Sequence, residues 1–130
     1  MLKTETVLRI RDTGIMAIVR VENMERGTEI AQACLDGGVD VLEISYTLDN
    51  AGEIISGLSK EFGDKILIGA GTVLDSETAR LAILSGAKFV IAPNFNKQVA
   101  LLCNRYQIAY APGCSTLPEM VEAMEYGASY

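Results

Sequence analysis

The sequence predicts an α/β fold built on a parallel sheet, and three observations carry that prediction. Short runs that are apolar almost throughout alternate with stretches of helical periodicity. Strands of that kind are buried on both faces, as in a parallel sheet covered by helices, whereas a half-solvated antiparallel strand alternates apolar and polar residues. The junctions from helix to strand also echo one another, GGVDVLEI, GDKILIGA, GAKFVIAP and GASY, with glycines at 38, 63, 86 and 127. The first two intervals each hold one strand plus one helix, and the last spans two shorter units.

A leading helix is expected over Lys3–Asp12. The strand candidates follow in order: Gly14–Arg20 (GIMAIVR), Val39–Tyr46 (VDVLEISY), Lys65–Gly69 (KILIG), Lys88–Ala92 (KFVIA) and Gln107–Ala111 (QIAYA). Helices lie between them. Met24–Asp36 places Ile30, Ala31, Cys34 and Leu35 on one face. Asn23 suits its start, because an asparagine oxygen can accept from an unpaired N–H of the first turn, and Gly37-Gly38 stops it. Asn50–Glu61 carries Ile54, Ile55 and Leu58, and Asp75–Ser85 opens with Asp75-Ser76 and ends at Gly86. Asn96–Arg105 carries Val99, Leu102 and Cys103. Leu117–Tyr126 follows Thr116-x-x-Glu119, a capping box with Pro118 in the first turn, and stops at Gly127.

Residues 1–130 therefore read as one domain of five βα units with no linker. Five units fit two architectures: an open doubly wound sheet of the flavodoxin-like kind, or the first five units of a (βα)8 barrel.

Composition bounds the function. Lys and Arg total 11 and Asp and Glu total 17, a net charge of −6. A general nucleic-acid or anionic-membrane binder needs basic surface to neutralise phosphates, so neither partner is expected. No window approaches the roughly 20 apolar residues of a membrane span. The opening MLKTETVLRIRDTG is charged and lacks an apolar stretch, so a secretory leader is not expected and the cytoplasm is the expected compartment. With no histidine, Ser-His and Cys-His catalysis within the chain is excluded. Cys34, Cys103 and Cys114 have no metal-ligand spacing and read as packed thiols.

Ligands of parallel α/β sheets bind at the carboxyl ends of the strands. Arg20 closes the first strand. Glu43 interrupts the apolar second strand, and Thr47 follows it. A buried carboxylate is costly unless paired or functional, and burial raises its pKa toward the range that suits acid–base work. The structural alternative is a buried pair with Arg20. Gly69-Ala70-Gly71-Thr72 reads as a tight turn after the third strand, where glycines let a ligand approach the backbone and Thr72 offers a hydroxyl. Pro93 and Pro112-Gly113 read as turn residues, and Tyr46 and Phe95 as core or rim packing.

Together, IVR at 18–20, GGVDVLEISYT at 37–47, IGAGTVLD at 68–75, FVIAPNFN at 89–96 and YAPGCSTLPE at 110–119 resemble the 2-keto-3-deoxy-6-phosphogluconate (KDPG) and 2-keto-4-hydroxyglutarate (KHG) aldolase family. The resemblance implies a (βα)8 barrel, a cytoplasmic homotrimer and a class I aldolase that needs no metal or other cofactor. It implies pyruvate, KDPG or KHG as the small-molecule partner, held as a Schiff base on a lysine. On this sequence the proton-shuttling glutamate falls on Glu43 and the threonine for the pyruvate carboxylate on Thr72. Arg20, Thr47 and Pro93 fall on substrate-binding positions. The Schiff-base lysine of the resemblance lies on a sixth strand, in a K-x-F-P motif past Tyr130, so an aldolase without its nucleophile is the expectation for these residues. Lys65 and Lys88 begin strands and would sit at the opposite face, Lys3 and Lys60 lie in helices, and Lys97 begins one. A partial barrel acting as a folding or assembly unit is the second expectation. A flavodoxin-like signalling or flavin-binding module is disfavoured, because Val19-Arg20 stands where receivers carry acidic residues.

Overall fold

The structure, a computed structural model, describes residues 2–130. Five strands, β1 (Ala17–Val19), β2 (Val41–Ser45), β3 (Leu67–Gly71), β4 (Phe89–Ala92) and β5 (Ala109–Pro112), form one sheet. Six helices precede, connect and follow them: α1 (Lys3–Thr13), α2 (Met24–Asp36), α3 (Ala51–Phe62), α4 (Ser76–Ser85), α5 (Lys97–Tyr106) and α6 (Leu117–Glu125). All neighbouring strands are parallel, in the order β1-β2-β3-β4-β5. Each crossover steps to the next strand in the same direction, so the order never reverses. A doubly wound sheet must reverse at its switch point. The open flavodoxin-like alternative is thereby excluded, and the winding is that of a (βα)8 barrel, five units of it. Ser129 N–H donates to Tyr110 O over 2.7 Å along the outer edge of β5, the position of a sixth parallel strand.

Caps set the helix starts. Asn23 Oδ1 accepts from Arg26 N–H at 2.9 Å, Asp75 Oδ1 from Thr78 N–H at 2.7 Å, and the Thr116–Glu119 capping box forms. Asn50 does not cap α3. Its Nδ2 donates to Glu22 O at 2.9 Å and ties that helix to the loop after β1. Gly14 ends α1 at φ +72°, so β1 is shorter than the predicted strand.

The third strand also corrects the prediction. Gly63–Lys65 forms a 3-10 turn, and β3 runs from Leu67 through Gly71. Gly69 and Gly71 are thus buried strand residues, not a turn open to a ligand.

Alternation along the strands sorts side chains into two layers. Leu42, Ile44, Ile68, Ala70, Val90 and Tyr110 join Ile54, Ile55, Leu58, Ala82 and Val99 in the core between sheet and helices. Val41, Leu67, Phe89 and Ala109, each the first residue of its strand, face the other way and pack against Val7, Ile10 and Met16. The leading helix therefore closes the inner face at the amino ends of the strands, leaving the carboxyl ends open.

Arg9 anchors α1 there. Its Nε and Nη2 donate to Asp40 Oδ2 at 3.1 and 2.9 Å, and it donates further to Asp64 O at 2.8 Å and Lys65 O at 2.7 Å. Thr13 Oγ1 donates to Asp40 Oδ1 at 2.7 Å. Burial pushes the Asp40 carboxyl up, but the bonds from Thr13 and Arg9 outweigh it and hold the group below its usual range. A depressed folded pKa means a contribution present above the ordinary Asp value and lost as pH falls through the folded one. Arg9→Ala is expected to cost roughly 2 kcal/mol in urea unfolding at pH 7, and less in acid.

Candidate active site

Glu43 lies on the inner face of β2, in register with Ile18 on β1 and Gly69 on β3. Two residues on, Ser45 pairs with Gly71. A Cβ on Gly71 would fall on the Glu43 carboxylate, and a Cβ on Gly69 would fall on the Phe89 ring. The glycines of β3 are therefore the space into which two neighbouring side chains lie. Glu43 is 6% exposed. Among the described residues it has neither a hydrogen-bond partner nor an ion pair. Burial raises its carboxyl above the ordinary glutamate range, and the positive field of Arg20 partly offsets this. Arg20 is exposed just past β1. The buried Glu43–Arg20 pair considered as the structural alternative is not formed. The carboxylate has been desolvated without a contact partner.

Thr72 follows Gly71 with φ +58°. A β-branched residue in the left-handed region is a strained outlier, and such strain persists only where surrounding structure enforces it. Backbone bonds pin the residues on either side of Thr72, Tyr46 N–H donating to Gly71 O at 2.8 Å and Val73 N–H to Ile91 O at 3.1 Å. The Thr72 side chain meets Ser45, which is fully buried. Its Oγ lies 3.1 Å from Thr72 Oγ1 and 3.1 Å from Thr47 Oγ1, and it accepts from Thr47 N–H at 3.4 Å. Pro93 stands exposed on the same rim, just after β4. There the strand ends close tightly, because Gly113 N–H donates to Ala92 O at 2.8 Å and a Cβ on Gly113 would meet Pro93 O.

The rim thus gathers Glu43 over Gly71, Thr72 next to it, and Thr47 joined to Thr72 through Ser45. Arg20 acts on Glu43 through its charge. Sequence reasoning missed Ser45, although its place two residues after Glu43 on one strand puts both on one face. Tyr46 and Phe95 do pack: the Tyr46 hydroxyl is buried near Ser85 and Gly52, and the Phe95 ring centroid lies 6.0 Å from that of Tyr126.

The lysines sit elsewhere. Lys65 and Lys88 precede β3 and β4 at their amino ends. Lys3 Nζ donates to Gly127 O at 3.1 Å, Lys60 is in α3, and Lys97 Nζ lies 4.7 Å from the centroid of the Tyr126 ring. All three cysteines are free; burial pushes the Cys103 thiol up to about 12. Among the described residues no group of three His, Cys, Asp or Glu side chains is arranged to hold a metal ion, and no helix is long and apolar enough to cross a membrane.

Parallel strands wound in one direction, with polar side chains gathered at their carboxyl ends, define the (βα)-barrel enzymes. The family model described as KDPG and KHG aldolase matches residues 7–130, and the chain belongs to that family. It is 34% identical over 125 residues to the 2-dehydro-3-deoxy-phosphogluconate aldolase of Treponema pallidum, covering 96% of this chain and 58% of the relative. It is 32% identical over 119 residues to the KHG/KDPG aldolase of Escherichia coli K12, covering 91% and 55%. A solved KDPG aldolase from Legionella pneumophila, with pyruvate captured as a covalent carbinolamine intermediate, superposes with a TM-score of 0.81 at 27% identity, over 86% of this chain and 54% of that one. The chain thus spans little more than half the length of the curated relatives it matches.

Proposed function

We propose that this chain carries the keto-acid-binding and proton-transfer portion of a class I aldolase that cleaves KDPG or KHG to pyruvate and an aldehyde. The observation that carries the reading is Glu43: buried, without an ion-pair partner, and packed over Gly71 beside Thr72. A carboxyl raised by desolvation holds its proton more readily than an ordinary glutamate, which suits it to the proton transfers of carbinolamine formation and aldol cleavage. Thr72 offers its hydroxyl to the pyruvate carboxylate, with Arg20, Thr47 and Pro93 around the keto acid. The protonated imine that accepts the electron pair of the breaking C–C bond needs a lysine. That lysine belongs to the stretch of the relatives that this chain does not span, and the assembly is a cytoplasmic homotrimer, as the family resemblance implies.

The test is pyruvate itself, added to the chain and followed by amide NMR and by intact mass after borohydride reduction. Shifts are expected at Glu43, Gly71 and Thr72, with no reduced pyruvyl adduct on the 14.0 kDa chain. Shifts confined to other regions would overturn the binding site, and an adduct on one of these lysines would overturn the assignment of the nucleophile.

A second reading, a partial barrel that serves as a folding or assembly unit, is favoured by the apolar side chains that α6 exposes, Leu117, Met120, Val121 and Met124. Sedimentation as a folded monomer would remove it.

A further inference from the structure

We propose that Ser45 is a positioning residue whose hydroxyl holds Thr72 Oγ1 in place and sets the direction in which Thr72 donates its proton. This rests on the keto-acid reading above. Ser45 is fully buried, its Oγ is 3.1 Å from both Thr47 Oγ1 and Thr72 Oγ1, and Thr47 N–H donates to it. A serine hydroxyl has one proton and two lone pairs. With the Thr47 N–H and hydroxyl both donating to Ser45, the single serine proton goes to Thr72. Thr72 then accepts, and its own proton is free for an anion at the rim. In the opposite direction Thr72 would spend its proton on Ser45 and face a carboxylate with lone pairs only. A bound carboxylate therefore selects the chain Thr47 to Ser45 to Thr72 to ligand, and each link polarises the next. The same contact holds the side chain of a residue whose backbone sits at φ +58°, a conformation threonine does not adopt unaided.

Two readouts on the full chain test this: the dissociation constant for pyruvate, and the Thr72 χ1 rotamer from side-chain scalar couplings. Ser45→Ala is expected to weaken pyruvate by roughly tenfold and to average the Thr72 rotamer. Ser45→Thr, which keeps the hydroxyl, restores both. Thr47→Val, at an exposed position that leaves the core untouched, breaks the relay from its outer end, weakens pyruvate by roughly threefold and keeps the rotamer. Where Ser45→Ala fails to fold, Ser45→Cys, which keeps the volume but hydrogen-bonds weakly, carries the same two readouts, so the proposal does not rest on Thr47→Val, whose side chain also stands beside the keto acid. Unchanged pyruvate affinity in both variants, or a Thr72 rotamer that stays fixed in Ser45→Ala, would overturn it. A parent chain that shows no pyruvate shift would sink the keto-acid reading alone, and the rotamer comparison would still decide whether Ser45 holds Thr72.

Discussion

Replacing Gly71 with alanine is expected to destabilise the chain by roughly 3 kcal/mol. The sign is the informative part. Gly71 does not have a positive φ. Alanine in ordinary strand conformation is favoured over glycine by roughly 0.5–1 kcal/mol through the unfolded chain. Backbone considerations alone therefore predict a gain. The loss comes from the side chain of another strand, because the new Cβ falls on the Glu43 carboxylate. Register leaves no slack: Glu43 opposes Gly69 and Ser45 opposes Gly71 along the parallel pair. Glu43 would have to swing away from the rim, or the strands part. Glu43→Ala in the Gly71→Ala background removes the obstructing atoms and is expected to recover about 2 kcal/mol in a double-mutant cycle read by urea unfolding. An equal cost for Gly71→Ala with and without the Glu43 carboxylate would show that something other than this contact requires the glycine.

That contact also explains where the sequence was readable and where it was not. Helix periodicity, the Asn23, Asp75 and Thr116–Glu119 caps and the apolar strand runs are local signals, and they placed all eleven elements of helix and strand in the right order. The extent of β3 was not local. A strand residue normally reports burial through its apolar side chain, but Gly69 and Gly71 report nothing. The space they leave is filled by Phe89 from β4 and Glu43 from β2, residues remote in sequence. The choice between an open sheet and a barrel winding was not legible in any strand's composition, since it depends on the direction of each crossover; the motifs that resemble the aldolase family carried it, and the strand order bears it out. The candidate site divides the same way. Glu43 stood out because a carboxylate in LEIS breaks an apolar run. Ser45 did not, because a small polar residue in a strand is unremarkable until register sets it beside Thr72. The left-handed turn at Thr72 had no signature either, because threonine is disfavoured there and the bonds that pin its neighbours involve Tyr46 and Ile91, residues remote in sequence.

Glutamine at position 43 is expected to make the chain more stable at pH 8 by roughly 1 kcal/mol, a rise in Tm of about 4 °C at this chain length. The cause is the direction of the Glu43 shift. Burial raises its carboxyl in the folded state above the ordinary glutamate value of 4.5, with Arg20 as a partial offset. Between those two values the folded chain binds more protons than the unfolded chain, so stability falls as pH rises through the window. Below 4.5 the protonated group carries no penalty, and the parent and Glu43→Gln melt alike. The curves separate as pH rises and run parallel once the folded group has ionised. Thermal melts from pH 4 to pH 8 check this. A parent that instead gained stability relative to Glu43→Gln with rising pH would mean that the carboxylate acquires a partner on folding, with Arg20 closing on it as an ion pair. The expected direction bears on function as well as stability. A structural carboxylate is retained where ionisation helps the fold. One that the fold bears at a cost, in space that Gly71 leaves free, supports the proposal that Glu43 and the adjacent Thr72 serve a bound keto acid.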